Sequence, residues 1–344
     1  MDLIDVIRRR PGMYVGGCDD QALVHLAMEV LGNAFDQHLL GRCDRIEVAI
    51  EPDGTLVVSD DGDGISIDGD ERRPPLASLV TVGHHTPTAD GHRPHVHLAH
   101  AGVGLAVVNA LSAAFEVETV HAGVRARGRW RHGRPDGAIA ATPTTAPSGT
   151  RLRCTPDPEI FGDHRIDVVA VLDRIDTLVA LRPGLVIDVQ LAGRQHEPDG
   201  LTAQVRRLLR PWTATVAAAR RDVVTADGPL TVDVAVAWKH VPDDPAISSF
   251  VNYQRNRDHG THVDGLFDGI LRVFGGTRVA NGAGLVAAVA VVLADVHWGN
   301  PTKDRLATPA VRKPVADVTE AALHAWSAAH PDDAAARRAR LSGR

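Results

Sequence analysis

The chain has 344 residues, of which 44% are apolar, enough for a substantial core and a length nearer two domains than one. Lys and Arg number 37 against 43 Asp and Glu, a formal charge of −6, which excludes a global positive field that holds nucleic acid by counterion release. The scattered Cys18, Cys43 and Cys154 fit neither a disulfide framework nor a thiolate zinc site, no apolar leader opens the sequence and no apolar run is long enough to span a bilayer, so the expectation is a cytoplasmic protein with no membrane association.

From residue 21, Leu23, Leu26, Ala27, Val30, Leu31 and Ala34 recur at three and four residues, predicting a helix that Asp19 or Asp20 can cap. Glu29, Asn33 and Gln37 are spaced by four and stack as a polar row on another face of it. Residues 45–50 and 56–59 are β-type runs around Pro52-Asp53-Gly54-Thr55, an antiparallel hairpin. The second strand runs into Asp60-Asp61-Gly62-Asp63-Gly64-Ile65, where two glycines permit a close backbone approach suited to a ligand. Residues 86–97 lack periodicity and read as a long polar segment. His84, His85, His92, His95, His97 and His100 offer imidazoles for zinc, copper or nickel, but their spacing fits no regular zinc pattern.

Ala101-Gly102-Val103-Gly104 opens a second helix through Leu111, and glycine at a helix start is a setting for phosphate binding by backbone N–H groups. Strands are expected at 115–120, 150–154 and 184–191, then a helix over 201–209 ending near Pro211. A fresh α/β pattern follows: strands at 230–238 and 248–251, a helix at 263–273, and the apolar run 284–296, too short for a membrane span and better read as a buried strand. The resulting division is 1–212, 213–330, and a flexible Arg-rich tail at 331–344.

Taken singly, Glu29 reads as a solvated helix glutamate, Asp60 as a turn aspartate and Lys303 as an exposed lysine. The order of motifs changes that reading: Arg9-Arg10-Pro11-Gly12-Met13-Tyr14, Glu29-Val30-Leu31-Gly32-Asn33-Ala34-Phe35-Asp36, Asp60 to Ile65, Gly102-Val103-Gly104 with Val107-Val108-Asn109-Ala110-Leu111-Ser112, Ser148-Gly149-Thr150, Arg257-Asp258-His259-Gly260-Thr261-His262, and Thr302-Lys303-Asp304-Arg305-Leu306. Over nearly the whole chain this series resembles the ATPase region of DNA gyrase B and its type IIA topoisomerase relatives, in the GHKL ATPase superfamily shared with heat-shock chaperones, mismatch-repair proteins and histidine kinases. The resemblance implies an α+β fold: a two-layer α/β sandwich of the Bergerat type on 1–212, followed by a smaller ribosomal-S5-like α/β transducer domain on 213–330.

It also implies ATP and Mg²⁺ as ligands. Glu29 would be the general base that activates water against the γ-phosphate, and Asn33 would ligate the Mg²⁺. Asp60 would accept from the exocyclic amine of adenine, supported through a water by Thr150, with Gly62, Gly64 and Ile65 beside the base. Gly102, Val103 and Gly104 would present N–H groups to the phosphates, and Lys303 would reach the γ-phosphate. The implied activity is Mg-dependent ATP hydrolysis as the module of a gyrase B-like topoisomerase subunit without the DNA-cleavage parts, with a homodimer on nucleotide binding and, indirectly, a partner subunit and DNA. The alternative is a nucleotide-binding switch with little hydrolysis.

The sequence departs from the family's pattern at several places. The lid's lysine, tyrosine and paired glycines are replaced by Thr88, Pro94 and Leu98-Ala99-His100-Ala101, and the glutamine before the Thr-Lys pair is Pro301. The arginine between the loop glycines is Asp63 and its acidic helix partner is Gln37, so a salt bridge is replaced on both sides. Few residues precede the Arg-Pro-Gly-Met-Tyr motif, so the arm with which family members wrap the second protomer is expected to be nearly absent.

Overall fold

The computed structural model describes residues 2–69, 74–82, 103–190, 192–195, 197–300 and 304–342. Two compact units emerge, one of Met1–Val179 with Gly184–His196, the other of Ala180–Pro183 with Glu197–Arg344. The His-rich stretch 84–100 lies outside the described residues.

In the first unit the chain forms α1 (Leu3–Arg9), α2 (Gly12–Val15), α3 (Asp20–Leu39), β1 (Arg45–Ile50), β2 (Leu56–Asp60), α4 (Leu76–Leu79), α5 (Gly104–Ala110), β3 (Ser112–His121), β4 (Val124–Arg131), β5 (Arg134–Pro135), β6 (Ala140–Pro143), β7 (Gly149–Pro156), α6 (Pro158–Phe161), α7 (Val168–Leu181), β8 (Val186–Val189) and β9 (Gly193–Gln195). The sheet runs β5-β4-β3-β7-β2-β1-β8-β9, with β6 beside β4. All its pairs are antiparallel except β1 with β8.

Cross-strand register places Leu56, Cys154 and Phe115 in one row and Val58, Leu152 and Val117 in the next, on one face. All six are buried. The helices α3 and α5 lie against these strands. Helix α3 begins where Asp19 accepts a 3.0 Å hydrogen bond from Ala22 N, and Leu23, Leu26, Val30 and Leu31 fill the space above the sheet. Each such side chain contributes roughly 1.5–3 kcal/mol by leaving water.

The second unit contains α8 (Leu201–Leu209), β10 (Ala217–Thr225), β11 (Gly228–Trp238), β12 (Ala246–Val251), β13 (Gln254–Arg255), α9 (Thr261–Phe274), α10 (Arg278–Gly282), β14 (Leu285–Leu293), α11 (Arg312–Ala329) and α12 (Pro331–Leu341). Its sheet is ordered β10-β11-β14-β12-β13, with β12 parallel to β14. Strand β14 is buried along nearly its whole length, which explains an apolar run without alternation, since both of its faces are covered. Among the described residues no helix is long and apolar enough to cross a membrane.

Two expectations are corrected here. Leu201, Val205 and Leu209 of α8 are buried and the helix packs on β11 and β14, so the units divide near residue 196 and α8 belongs with the second. Residues expected as a flexible tail form α12, with acidic Asp332 and Asp333 in its first turn and Arg338 and Arg340 in its last, which suits the helix dipole. Ala334 is buried, and Arg337 lies 4.6 Å above the Trp238 ring.

Helices α9 and α11 approach closely at Gly269, where an added Cβ would lie 2.6 Å from Ala316 O and 2.6 Å from Thr319 Cβ. Backbone cannot yield as a flexible side-chain tip would. Gly269→Ala is therefore expected to destabilise by about 1–3 kcal/mol, whereas Gly184→Ala, with nothing within 4 Å of its Cβ position, changes little. Urea unfolding midpoints of the two variants make the comparison.

Candidate functional site

The sheet's inner face does not stay apolar to its end. After the two buried rows comes a third, Asp60 of β2, Thr150 of β7 and Thr119 of β3, paired in register. Thr150 and Thr119 are 3% and 1% exposed, while Asp60 is half-buried. A carboxylate at the margin of an otherwise apolar surface offers one directional acceptor to a flat, mostly apolar ligand.

Beyond Asp60 the chain turns sharply. Asp60 Oδ1 accepts from Gly62 N at 3.0 Å, and Asp61 Oδ1 accepts from Asp44 N at 2.9 Å and Arg45 N at 3.0 Å. For Asp61, burial works to raise the pKa, and hydrogen bonds from Arg45, Cys43 and Asp44 outweigh it, so the carboxyl sits below its usual range. Gly64 has φ +75°, and a Cβ there would overlap Val120 O and lie 2.8 Å from Val120 C, so glycine is required on both counts. Ile65 N then donates to Thr119 Oγ1 at 2.7 Å, and Thr119 Oγ1 donates to Gly149 O at 3.2 Å. One hydroxyl thus ties the loop to two strands, and the Ile65 side chain, 3% exposed, closes the loop's inner side.

Over this row lies α3. Glu29 and Gln37 are each 7% exposed and Asn33 is half-buried, so the polar row read from the sequence faces inward rather than into solvent. An inward glutamate is the less common fate for that residue and points to a function. Val103 is the N-cap of α5 and Gly104 its first residue, and α5 packs against α3. The described structure therefore brings Glu29, Asn33, Asp60, Gly62, Gly64, Ile65, Thr150, Val103 and Gly104 into one unit. Gly102 and Lys303 lie outside the described residues.

Comparison with known proteins agrees with this arrangement. The family described as histidine kinase-, DNA gyrase B- and HSP90-like ATPase matches residues 18–160, and the family described as DNA gyrase B matches residues 200–337. The DNA gyrase B protein of Haloferax volcanii is 29% identical over 97% of this chain and 56% of its own length. That of Synechocystis is 30% identical over 90% of this chain and 31% of its own length. The B-subunit of DNA gyrase from Myxococcus xanthus superposes with a TM-score of 0.79 at 25% identity, covering 98% of this chain and 99% of that one. The chain belongs to the gyrase B-type family of GHKL ATPases. The 43K ATPase domain of Thermus thermophilus gyrase B, solved with an aminocoumarin, shares the fold at TM-score 0.80 and 24% identity, over 98% of this chain and 93% of that one. This chain spans 56% of the length of the first curated gyrase B relatives it matches.

Within the gyrase B-type frame the altered loop pair is resolved locally. Asp63 forms an ion pair with Arg42 at 3.2 Å, just past the end of α3, and its backbone carbonyl lies 2.8 Å from His121 Nδ1. Gln37 packs beneath Gly62, whose added Cβ would lie 3.1 Å from Gln37 Cβ. The Asp63–Arg42 pair lies just beyond the helix end, where both groups reach water.

In the second unit the motif at 257–262 and the one at 304–306 run side by side. Asp258 N donates to Asp304 O at 2.9 Å, Leu306 N to His259 O at 2.9 Å and Thr261 N to Leu306 O at 3.0 Å. Asn300 Oδ1 accepts from Asp304 N at 2.9 Å and its amide donates to Asp258 Oδ2 at 3.3 Å, anchoring the chain on both sides of residues 301–303. His262 is fully buried with no hydrogen-bond partner on either ring nitrogen among the described residues. Burial, then the charge of nearby His259, pushes its pKa down to about 3, so it is a neutral core residue.

Sequence reasoning missed Thr119 and Arg42. Thr119 sits in an ordinary strand pattern, and only its register opposite Thr150 marks it. Thr119→Val should leave the Ile65 N–H buried without a partner and cost about 1–3 kcal/mol, while Thr119→Ser retains stability. Thermal unfolding of both variants measures the difference.

Proposed function

We propose that the chain binds ATP in the first unit and hydrolyses it with Mg²⁺, as the ATPase module of a gyrase B-like topoisomerase subunit. The observation that carries this reading is the inward-facing Glu29, buried on α3 next to the helix α5 that begins at the phosphate-loop motif. Asp60 accepts from the exocyclic amine of adenine, with Thr150 beside it in register and Gly62, Gly64 and Ile65 lining the ring's edge. Glu29 takes the proton of the attacking water, leaving a hydroxide-like nucleophile for the terminal phosphorus. Val103 and Gly104, with Gly102, offer backbone N–H groups to the phosphates.

The donor set also suits Mg²⁺: Asn33 presents a hard amide oxygen from a half-buried position one turn beyond Glu29, and would hold the ion together with phosphate oxygens and water. Bound there, Mg²⁺ supplies charge neutralisation to the phosphates. Lys303, between Asn300 and Asp304 in sequence, provides a compact cation for the γ-phosphate. A homodimer formed on nucleotide binding, a partner subunit and indirect contact with DNA belong to the same reading, as does a cytoplasmic location. A nucleotide switch with little turnover is the second reading, favoured by Pro301 and the altered lid sequence.

Calorimetric titration with a non-hydrolysable ATP analogue and Mg²⁺ tests the pocket: Asp60→Ala should weaken binding at least about tenfold, and absence of binding to the wild type would sink the proposal. Phosphate release tests the chemistry. Glu29→Ala should abolish turnover while nucleotide affinity stays nearly unchanged, whereas equal rates in variant and wild type would remove Glu29 as the base and favour the switch.

A further inference from the structure

A cleft of ≈ 390 Å³ opens in the second unit, bounded by Trp326 of α11, the C-terminal half of α12 and Trp238 at the end of β11. The Trp238 and Trp326 ring centroids are 6.3 Å apart at 50°, and the indoles are 8% and 7% exposed, so only their outer margins form the cleft's angled apolar wall. The facing side is cationic. Arg337 is 6% exposed, with its guanidinium over Trp238, and it donates to Asn281 O at 3.0 Å and Ala280 O and Asn281 Oδ1 at 3.3 Å, all uncharged acceptors. Among the described residues its Nε has no partner and no carboxylate forms an ion pair with it. Burial, then the like charge of Arg340, lowers its pKa to about 10.

Arg340 follows one turn later and lines the same cleft, with Nη1 3.2 Å from Lys239 O and Nη2 3.4 Å from His240 Nδ1. The one carboxylate among the described lining residues, Asp333, accepts within the cleft from Thr215 Oγ1 at 2.6 Å, and that oxygen accepts from Trp326 Nε1 at 3.0 Å. Two guanidiniums against one carboxylate, with no ion pair to it among the described residues, leave the lining net positive and favour an anion in the open part of the cleft. The volume lies at the small end of ligand pockets.

We propose that this cleft binds a small planar aromatic acid, its ring against the Trp238–Trp326 wall and its carboxylate on the Arg340 guanidinium, with Arg337 supplying the buried charge behind. Direct contact falls to Arg340, the more exposed of the two. Arg337 acts on orientation and field through its stacking on Trp238. No residue of the first unit takes part, so nucleotide binding gives an independent control of folding.

The probe is indole-3-acetate, titrated calorimetrically into the full chain. Saturable binding is expected, with neutral indole-3-acetamide and ring-free acetate each bound at least about tenfold more weakly. Arg340→Gln should weaken indole-3-acetate to a similar degree without moving the melting temperature or binding of the ATP analogue. Arg337→Lys, which keeps the charge but not the planar stack, should weaken it too. Because Arg337 is buried and its variant can fail to fold, the exposed Arg340 variant carries the decision. No heat with indole-3-acetate at roughly millimolar concentration, equal binding of acid and amide, or wild-type binding by Arg340→Gln would each overturn the assignment.

Discussion

The hydroxyl of Thr119 holds the first unit's site together. A sheet face covered by helices must bury apolar side chains, yet a ligand with polar edges needs polar atoms at the same depth, and those atoms are costly there unless they are paired. Thr119 meets both demands by taking the Ile65 N–H and giving its own proton to Gly149 O. The loop from Asp60 to Ile65 can then fold back across the strand ends without leaving a buried donor, and Asp60 keeps its place at the margin of the apolar rows. Gly64 is the steric counterpart, since any side chain there would push the loop off Val120.

The second unit solves a different problem. Its central strands β11 and β14 are buried on both faces, and its helices reach close contact through small residues such as Gly269. Its two signature motifs meet because Asn300 and Asp258 bridge them, so residues 301–303 are flanked by anchored chain on either side.

Much of this was legible in the sequence where the signal is local. The α3 stripe, the β1–β2 hairpin around Gly54 and the helix α8 at 201–209 follow from periodicity and turn chemistry within a few residues. The apolar run at 284–296 gave β14, because length separates a strand from a span. Glu29, Asn33 and Asp60 were nameable as a group only through the order of the motifs, since each alone reads as surface. What stayed hidden depends on partners distant in sequence. Thr119 acquires its role from residues 65 and 149, and Asp63 finds its counter-charge in Arg42. The helix α12 looked like a loose basic tail because composition cannot show that Arg337 stacks on Trp238.

The two ways in which helices are fastened in the second unit respond differently to the solvent. Helix α11 meets α9 through ion pairs such as Arg312 with Asp268 and Arg272 with Asp317, whose side chains are between 31% and 55% exposed. Added electrolyte screens such pairs within a Debye length of about 8–10 Å. The tether of α12 is a guanidinium held over an indole ring and bonded to uncharged carbonyl oxygens, so it does not depend on an ion pair that electrolyte would screen. Raising the ionic strength therefore loosens the polar rim between α9 and α11 while leaving the last helix docked, so salt acts on this unit from the outside in.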